Sequence, residues 1–137
     1  MTAKKALIIS LLCVQVSSRG AIHDIEDCVV KPPEEIIQGF ENCDARIVGK
    51  YFNLSVELIF NESQAVYAKS QAEQILRNFF NNNASSNRRF NYKHLHGSDR
   101  DNVQYFIGEL HTGRGMYRVT IYMKNQLIYR MRIENND

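Results

Sequence analysis

Tryptophan is absent from this 137-residue chain, and proline occurs only twice. With seven glycines among 137 residues, the composition excludes collagen-like and linker-like chains. No phosphate-binding glycine loop, Gly-x-Ser-x-Gly, His-Glu-x-x-His or Cys-x-x-Cys occurs, which removes the enzymes those motifs carry. The apolar stretch near the start is about eleven residues long, short of the about 20 needed to cross a bilayer. What is present is 44% hydrophobic and 23% charged, the composition of a globular domain rather than a disordered chain. The length fits one domain and can bury a core without a metal or a disulfide framework.

The formal charge of +2 is concentrated at one end. Lys4, Lys5 and Arg19 stand among the first twenty residues, which hold no acid. Beyond them, fourteen basic residues face fifteen acidic ones, with no long basic run. That balance lacks the electrostatic footprint of a nucleic-acid binder.

Lys4-Lys5 followed by the apolar run Ala6–Val16 and then Ser17, Ser18, Gly20 and Ala21 has the order of an export signal. The division expected is a signal peptide over 1–20, an arm over 21–33 and one domain over 34–135. Cleavage after Gly20 or after Ser18 both satisfy the small-residue pattern. Cys13 lies inside the apolar run after Leu12, which is not small, and this argues against lipidation. Removal of the signal would leave Cys28 and Cys43, a pair that either forms one disulfide in an oxidising compartment or stays as thiols. Asn53, Asn61 and Asn83 each begin an Asn-x-Ser triplet, which matters only in a host that glycosylates.

Pro32-Pro33 followed by Glu34-Glu35 predicts a helix start, with Ile36, Ile37, Phe40 and Cys43 at helical spacing. Asp44 is placed to cap a second short helix carrying Ile47, Val48, Tyr51 and Phe52. Val56–Phe60 and Ala65–Ala68 read as strands about an Asn61–Ser63 turn. Ser70-Gln71-Ala72-Glu73 reads as a capping box opening a helix with the stripe Ala72, Ile75, Leu76, Phe79 and Phe80. Four strands follow. Phe90, Tyr92, His94 and His96 are expected on one face of the first, broken at Gly97-Ser98-Asp99. Val103–Thr112 is the second. Tyr117, Val119, Ile121 and Met123 share a face of the third, and Leu127, Tyr129, Met131 and Ile133 a face of the fourth.

This order, helix–helix–strand–strand–helix and then four strands, resembles the nuclear transport factor 2-like, cystatin-like superfold. The segments Glu35–Gln38, Tyr51-Phe52, Val56–Leu58, Ser70–Leu76, Phe79-Phe80, Ile107–Leu110, Tyr117–Val119 and Arg132–Glu134 are similar to a family of small secreted bacterial domains of unknown function with that fold. The resemblance covers about 34–135. It implies an α+β cone, a strongly curved antiparallel sheet wrapped around helices, and export to the periplasm or cell surface. It carries no catalytic residues. Homodimerisation through the outer face of the sheet is what the fold implies for oligomeric state.

Two chemistries follow from the residue pattern. In the first, the inward rows Phe90/Tyr92, Tyr117/Val119/Ile121 and Tyr129/Met131 line a cone that holds a small apolar or amphipathic ligand without catalysis. The partner is then that ligand or an envelope protein, with no cofactor and no metal. In the second, some relatives of the fold are isomerases or dehydratases that use a carboxylate or His base with a Tyr donor. Here His94, Glu109 or His111 would supply the base and Tyr105 or Tyr117 the donor. Strand parity opposes this, because Tyr105, Ile107, Glu109 and His111 share one face and Phe106, Gly108 and Leu110 the other. His94 and His96 at strand spacing could join Asp99, Glu109 or His111 around a metal, but no local sequence fixes a third ligand. Arg118, Arg130 and Arg132 read as a solvated ion-pair lattice with Glu57, Glu109 and Glu134.

Overall fold

A computed structural model describes residues 29–136. The expected signal segment and Cys28 lie outside the described residues. Helix α1 (Glu34–Glu41) begins directly after Pro33 and carries Glu34 and Glu35 in its first turn, where the helix dipole favours acids. Its spacing does not reach Cys43, which follows the helix with a left-handed φ of 55°. Helix α2 (Ala45–Gly49) is capped by Asp44, whose carboxylate accepts from the Arg46 N–H at 3.1 Å and the Ile47 N–H at 3.4 Å. The helix stops before Tyr51 and Phe52, contrary to expectation. The Tyr51 carbonyl accepts from the Ile128 N–H at 2.6 Å, so the sheet has already claimed the backbone there.

Strands β1 (Phe52–Phe60) and β2 (Ser63–Ala68) form a hairpin about Asn61, whose φ is 51°. Helix α3 (Lys69–Asn83) follows β2 without a loop. Ser70 therefore lies inside the first turn and does not cap it. Gln71 does that work by accepting from the Ala68 N–H at 3.3 Å, and Glu73 pairs instead with Arg77 at 2.8 Å. Strands β3 (Asn91–Arg100), β4 (Val103–Thr112), β5 (Gly115–Lys124) and β6 (Leu127–Asn135) complete the domain. Gly97–Asp99 does not break β3, because these residues pair with Phe106, Tyr105 and Gln104.

The six strands lie in the order β2-β1-β6-β5-β4-β3. All neighbours are antiparallel except β1 and β6, which run parallel and join the early hairpin to the late meander. The helices cover one face. Ile36 and Phe40 of α1 and Leu76 and Phe80 of α3 are fully buried against Phe106, Leu110, Val119, Ile121, Met131 and Ile133. Irregularities at Leu95 in β3, at Tyr129 in β6 and over 53–56 in β1 interrupt the ladders. Each bulge bends its strand, and together they curl the sheet around the helices. The result is the α+β cone that the sequence implies.

Candidate functional site

The inner face of the sheet follows from the register. Tyr92 opposes Leu110, His94 opposes Gly108, and Gly97 opposes Phe106. Across β4 and β5, Phe106 opposes Ile121, Gly108 opposes Val119 and Leu110 opposes Tyr117. Phe90, Tyr92, Val119, Ile121 and Met131, all expected to line a ligand cavity, are buried in the core. Phe40 stacks on Tyr92 at 6.2 Å and Phe80 meets Phe90 edge-on at 5.8 Å. These side chains fill the cone with one another. Tyr117 closes its end, donating from its hydroxyl to Asn83 Oδ1 at 2.7 Å and packing edge-on against Phe79 at 5.0 Å. Asn83 Nδ2 in turn donates to the Phe79 carbonyl at 2.9 Å.

Two expected inner residues lie on the outer face. The extra residue Leu95 shifts the ladder from His94↔Gly108 to His96↔Ile107, so His96 points outward and meets Tyr105 at 5.8 Å. His94 and His96 are thus separated by the sheet. In β6 the shift between Tyr122 and Met123 leaves Tyr129 unpaired and buries Ile128 in its stead. Tyr129 instead packs on Tyr122 at 6.2 Å. Tyr105 stacks on the same Tyr122 at 5.9 Å, and Arg130 lies over its ring at 5.4 Å. The outer face therefore carries a row of His96, Tyr105, Tyr122 and Tyr129 that runs into the Arg130–Glu57 ion pair.

Glu109 and His111 also face outward, 3.5 Å apart, with Asn136 Nδ2 donating to Glu109 at 3.2 Å. The base and donor groups weighed for catalysis are accordingly split: Glu109, His111 and Tyr105 outside, His94 and Tyr117 inside. Among the described residues no group of three or more His, Cys, Asp or Glu side chains is placed to hold a metal. No described helix is long and apolar enough to cross a membrane. Cys43 is buried, and burial raises its thiol pKa while Arg88 and Arg89 oppose the shift.

A cavity of about 400 Å³ opens at the mouth of the cone. Phe106 and Met123, both almost wholly buried, form its apolar floor, Gln104 and Gln126 supply amides, and Tyr51, Lys31 and Pro33 complete the lining. The Tyr51 hydroxyl is already committed to Glu35, at 2.8 Å. Sequence reading missed this site because its lining comes from four separate segments, and only the inward parity of Gln104, Phe106 and Met123 hinted at it. Deeper on the same face lie the three buried side-chain polar atoms that lack a partner among the described residues: the Tyr92 hydroxyl and both ring nitrogens of His94. Burial pushes the Tyr92 pKa up to about 12. It pushes that of His94 down, opposed by a weak backbone hydrogen bond to Val30 that falls outside ordinary hydrogen-bond geometry and helped by Lys31 and His96.

Comparison with known proteins places these features in a family. Residues 33–134 match the model of a domain of unknown function, DUF4783. A crystal structure of a DUF4783 family protein from Bacteroides ovatus is 28% identical, with a TM-score of 0.69 over 77% of this chain and 96% of that one. One from Bacteroides uniformis is also 28% identical, with a TM-score of 0.68 over 78% and 99%. A nuclear transport factor 2-like protein of unknown function from Cytophaga hutchinsonii shares the fold at 9% identity, with a TM-score of 0.54 over 74% and 84%. No match was found among curated proteins.

Proposed function

The chain belongs to the DUF4783 family, and on that footing we propose that it is an exported, non-catalytic binding module holding one small amphipathic ligand at the cone mouth. The observation that carries this reading is the mouth cavity of about 400 Å³, with an apolar floor of Phe106 and Met123 and the amides of Gln104 and Gln126 at its edge. Its volume suits a compact molecule, and an apolar floor with a few polar groups is the usual make-up of a small-molecule site. Among the described residues no carboxylate or imidazole lines the open cavity. A proton-transfer enzyme would need such a base within reach of its substrate. Export is supported by Lys4-Lys5 and the Ala6–Val16 run. N-terminal sequencing of the protein from its native cell tests that part: a retained Met1 overturns it.

Binding is tested with prodan, an uncharged naphthalene ketone whose emission reports its surroundings. The full chain is expected to give saturable, blue-shifted emission, and Gln104→Trp, which fills the cavity, is expected to abolish it. Absence of saturation in the parent protein, or equal binding by Gln104→Trp, overturns the reading.

A second reading concerns self-association and is favoured by the half-buried row Tyr105, Tyr122 and Tyr129 on the outer face. That row suits a homodimer contact. Light scattering tests it: a dimer that Tyr122→Glu dissociates supports the contact, and a monomer at all concentrations refutes it.

A further inference from the structure

We propose that the mouth cavity extends inward to Tyr92 and His94 when Val30 moves aside, and that the deeper part takes the carbonyl end of an uncharged, otherwise apolar ligand. The inference rests on the binding role proposed above and names the chemistry of its ligand.

The geometry converges on Gly108. The Tyr92 ring lies directly over it: a Cβ added there would collide with the Tyr92 ring and hydroxyl. His94 is its register partner on the neighbouring strand. The unpartnered Tyr92 hydroxyl and the His94 ring, whose one neighbour for hydrogen bonding among the described residues is the poorly aligned Val30 backbone, thus meet at one strand position that has no side chain of its own. Buried polar groups are nearly always paired, so an unpaired set confined to one spot asks what pairs it. Glycine inside a strand often marks a place where something must approach the backbone closely.

Val30 separates this spot from the cavity. A Cβ on Gly97 would strike the Val30 carbonyl, so the arm presses on the sheet there. Gly97 opposes Phe106, which is part of the cavity floor, and Lys31, next in the chain, is part of its wall. The Val30 carbonyl also lies near His94. Among the described residues no backbone–backbone hydrogen bond ties 29–32 to the sheet. The arm is therefore held over the site by packing and by a weak hydrogen bond between the Val30 backbone and the His94 ring, and lifting it breaks no ladder among the described residues.

The chemistry of the pair selects the ligand. Burial keeps the phenol protonated and the imidazole neutral at neutral pH. A cationic ligand end would lose its hydration there with the like charge of Lys31 nearby, and an anionic end would be drawn to Lys31 at the cavity wall rather than to the neutral Tyr92–His94 pair. A carbonyl oxygen accepts from the Tyr92 O–H and from an imidazole N–H together, and its apolar body then rests on Phe106 and Met123.

Prodan carries such a carbonyl and separates the two levels of the argument. Tyr92→Phe is expected to weaken its binding about tenfold while Gln104→Trp abolishes it. Gly97→Ala, whose methyl group pushes Val30 away, is expected to strengthen binding several-fold. Ring ¹⁵N shifts of His94 in the unsubstituted protein give a readout independent of any variant and are expected to move on prodan addition. If Gln104→Trp blocks binding but Tyr92→Phe binds as the parent does and the His94 shifts stay still, the deeper site is wrong and the cavity reading survives. If the parent shows no saturable binding, both fall.

Discussion

Replacing Tyr92 with phenylalanine removes one hydroxyl and leaves the ring. That ring is 8% exposed, stacks on Phe40 and covers Gly108. Its hydroxyl has no partner among the described residues, so the substitution breaks no hydrogen bond there. Leaving such a group buried and unpaired costs about 1–3 kcal/mol, and Tyr92→Phe returns part of that. The ligand-free protein is expected to gain about 1 kcal/mol, which raises Tm by roughly 3–6 °C for a domain of this size. Alkali adds a second signature. The folded protein holds the Tyr92 proton up to about 12, above the ordinary value of 10. The unfolded chain ionises first, so stability falls as pH rises through 10 toward 12, by at most about 3 kcal/mol over the whole window. Tyr92→Phe lacks that part of the decline, and Tyr51, also raised, is present in both proteins. Urea denaturation at pH 7 and at pH 11 measures both effects. Loss of 1 kcal/mol or more at pH 7 would show that the hydroxyl is paired and would refute the reasoning.

Other perturbations test the frame around the site. Asn83→Ala removes the acceptor of the Tyr117 hydroxyl and a bond to the Phe79 carbonyl; chemical denaturation should show a loss of about 1–3 kcal/mol. Gly108→Ala drives a methyl group into the Tyr92 ring and is expected to cost about 1–3 kcal/mol by the same assay, with the Tyr92 ring signals displaced in NMR spectra. Burial lowers the His94 pKa, so the unfolded chain takes up a proton first as pH falls below about 6.5. Stability should then decline from pH 7 to pH 5, above the range where Glu35 and Glu57 titrate, and His94→Gln should flatten that decline in pH-dependent thermal scans.

The periodic elements were legible in the sequence. The inward rows of β4 and β5 followed from two-residue alternation, because both strands run without interruption. The errors cluster where a strand gains a residue. Nothing local marks Leu95 or Tyr129 as bulged, since a bulge is set by the strand opposite, and one extra residue moved His96 and Tyr129 through the sheet. The capping box failed for a related reason: β2 enters α3 without a loop, so the helix begins before Ser70. The parallel β1–β6 pairing joins residues more than seventy positions apart, and strand patterns carry no partner information at that range. The mouth cavity is illegible in the sequence because the pattern places Tyr51 on a helix, and Lys31 and Pro33 on an arm with no target. Gly97 and Gly108 were the available signals, as glycines inside strands of otherwise substantial side chains.

The binding site proposed for this protein is the cone mouth and not the aromatic outer face. An NMR titration of the ¹⁵N-labelled full chain with prodan tests it most directly. Saturable shifts are expected at Gln104, Phe106, Met123 and Gln126, continuing inward to Gly97 and His94. Shifts grouped instead at Tyr105, Tyr122 and Tyr129, or no saturable shifts at all, would contradict it.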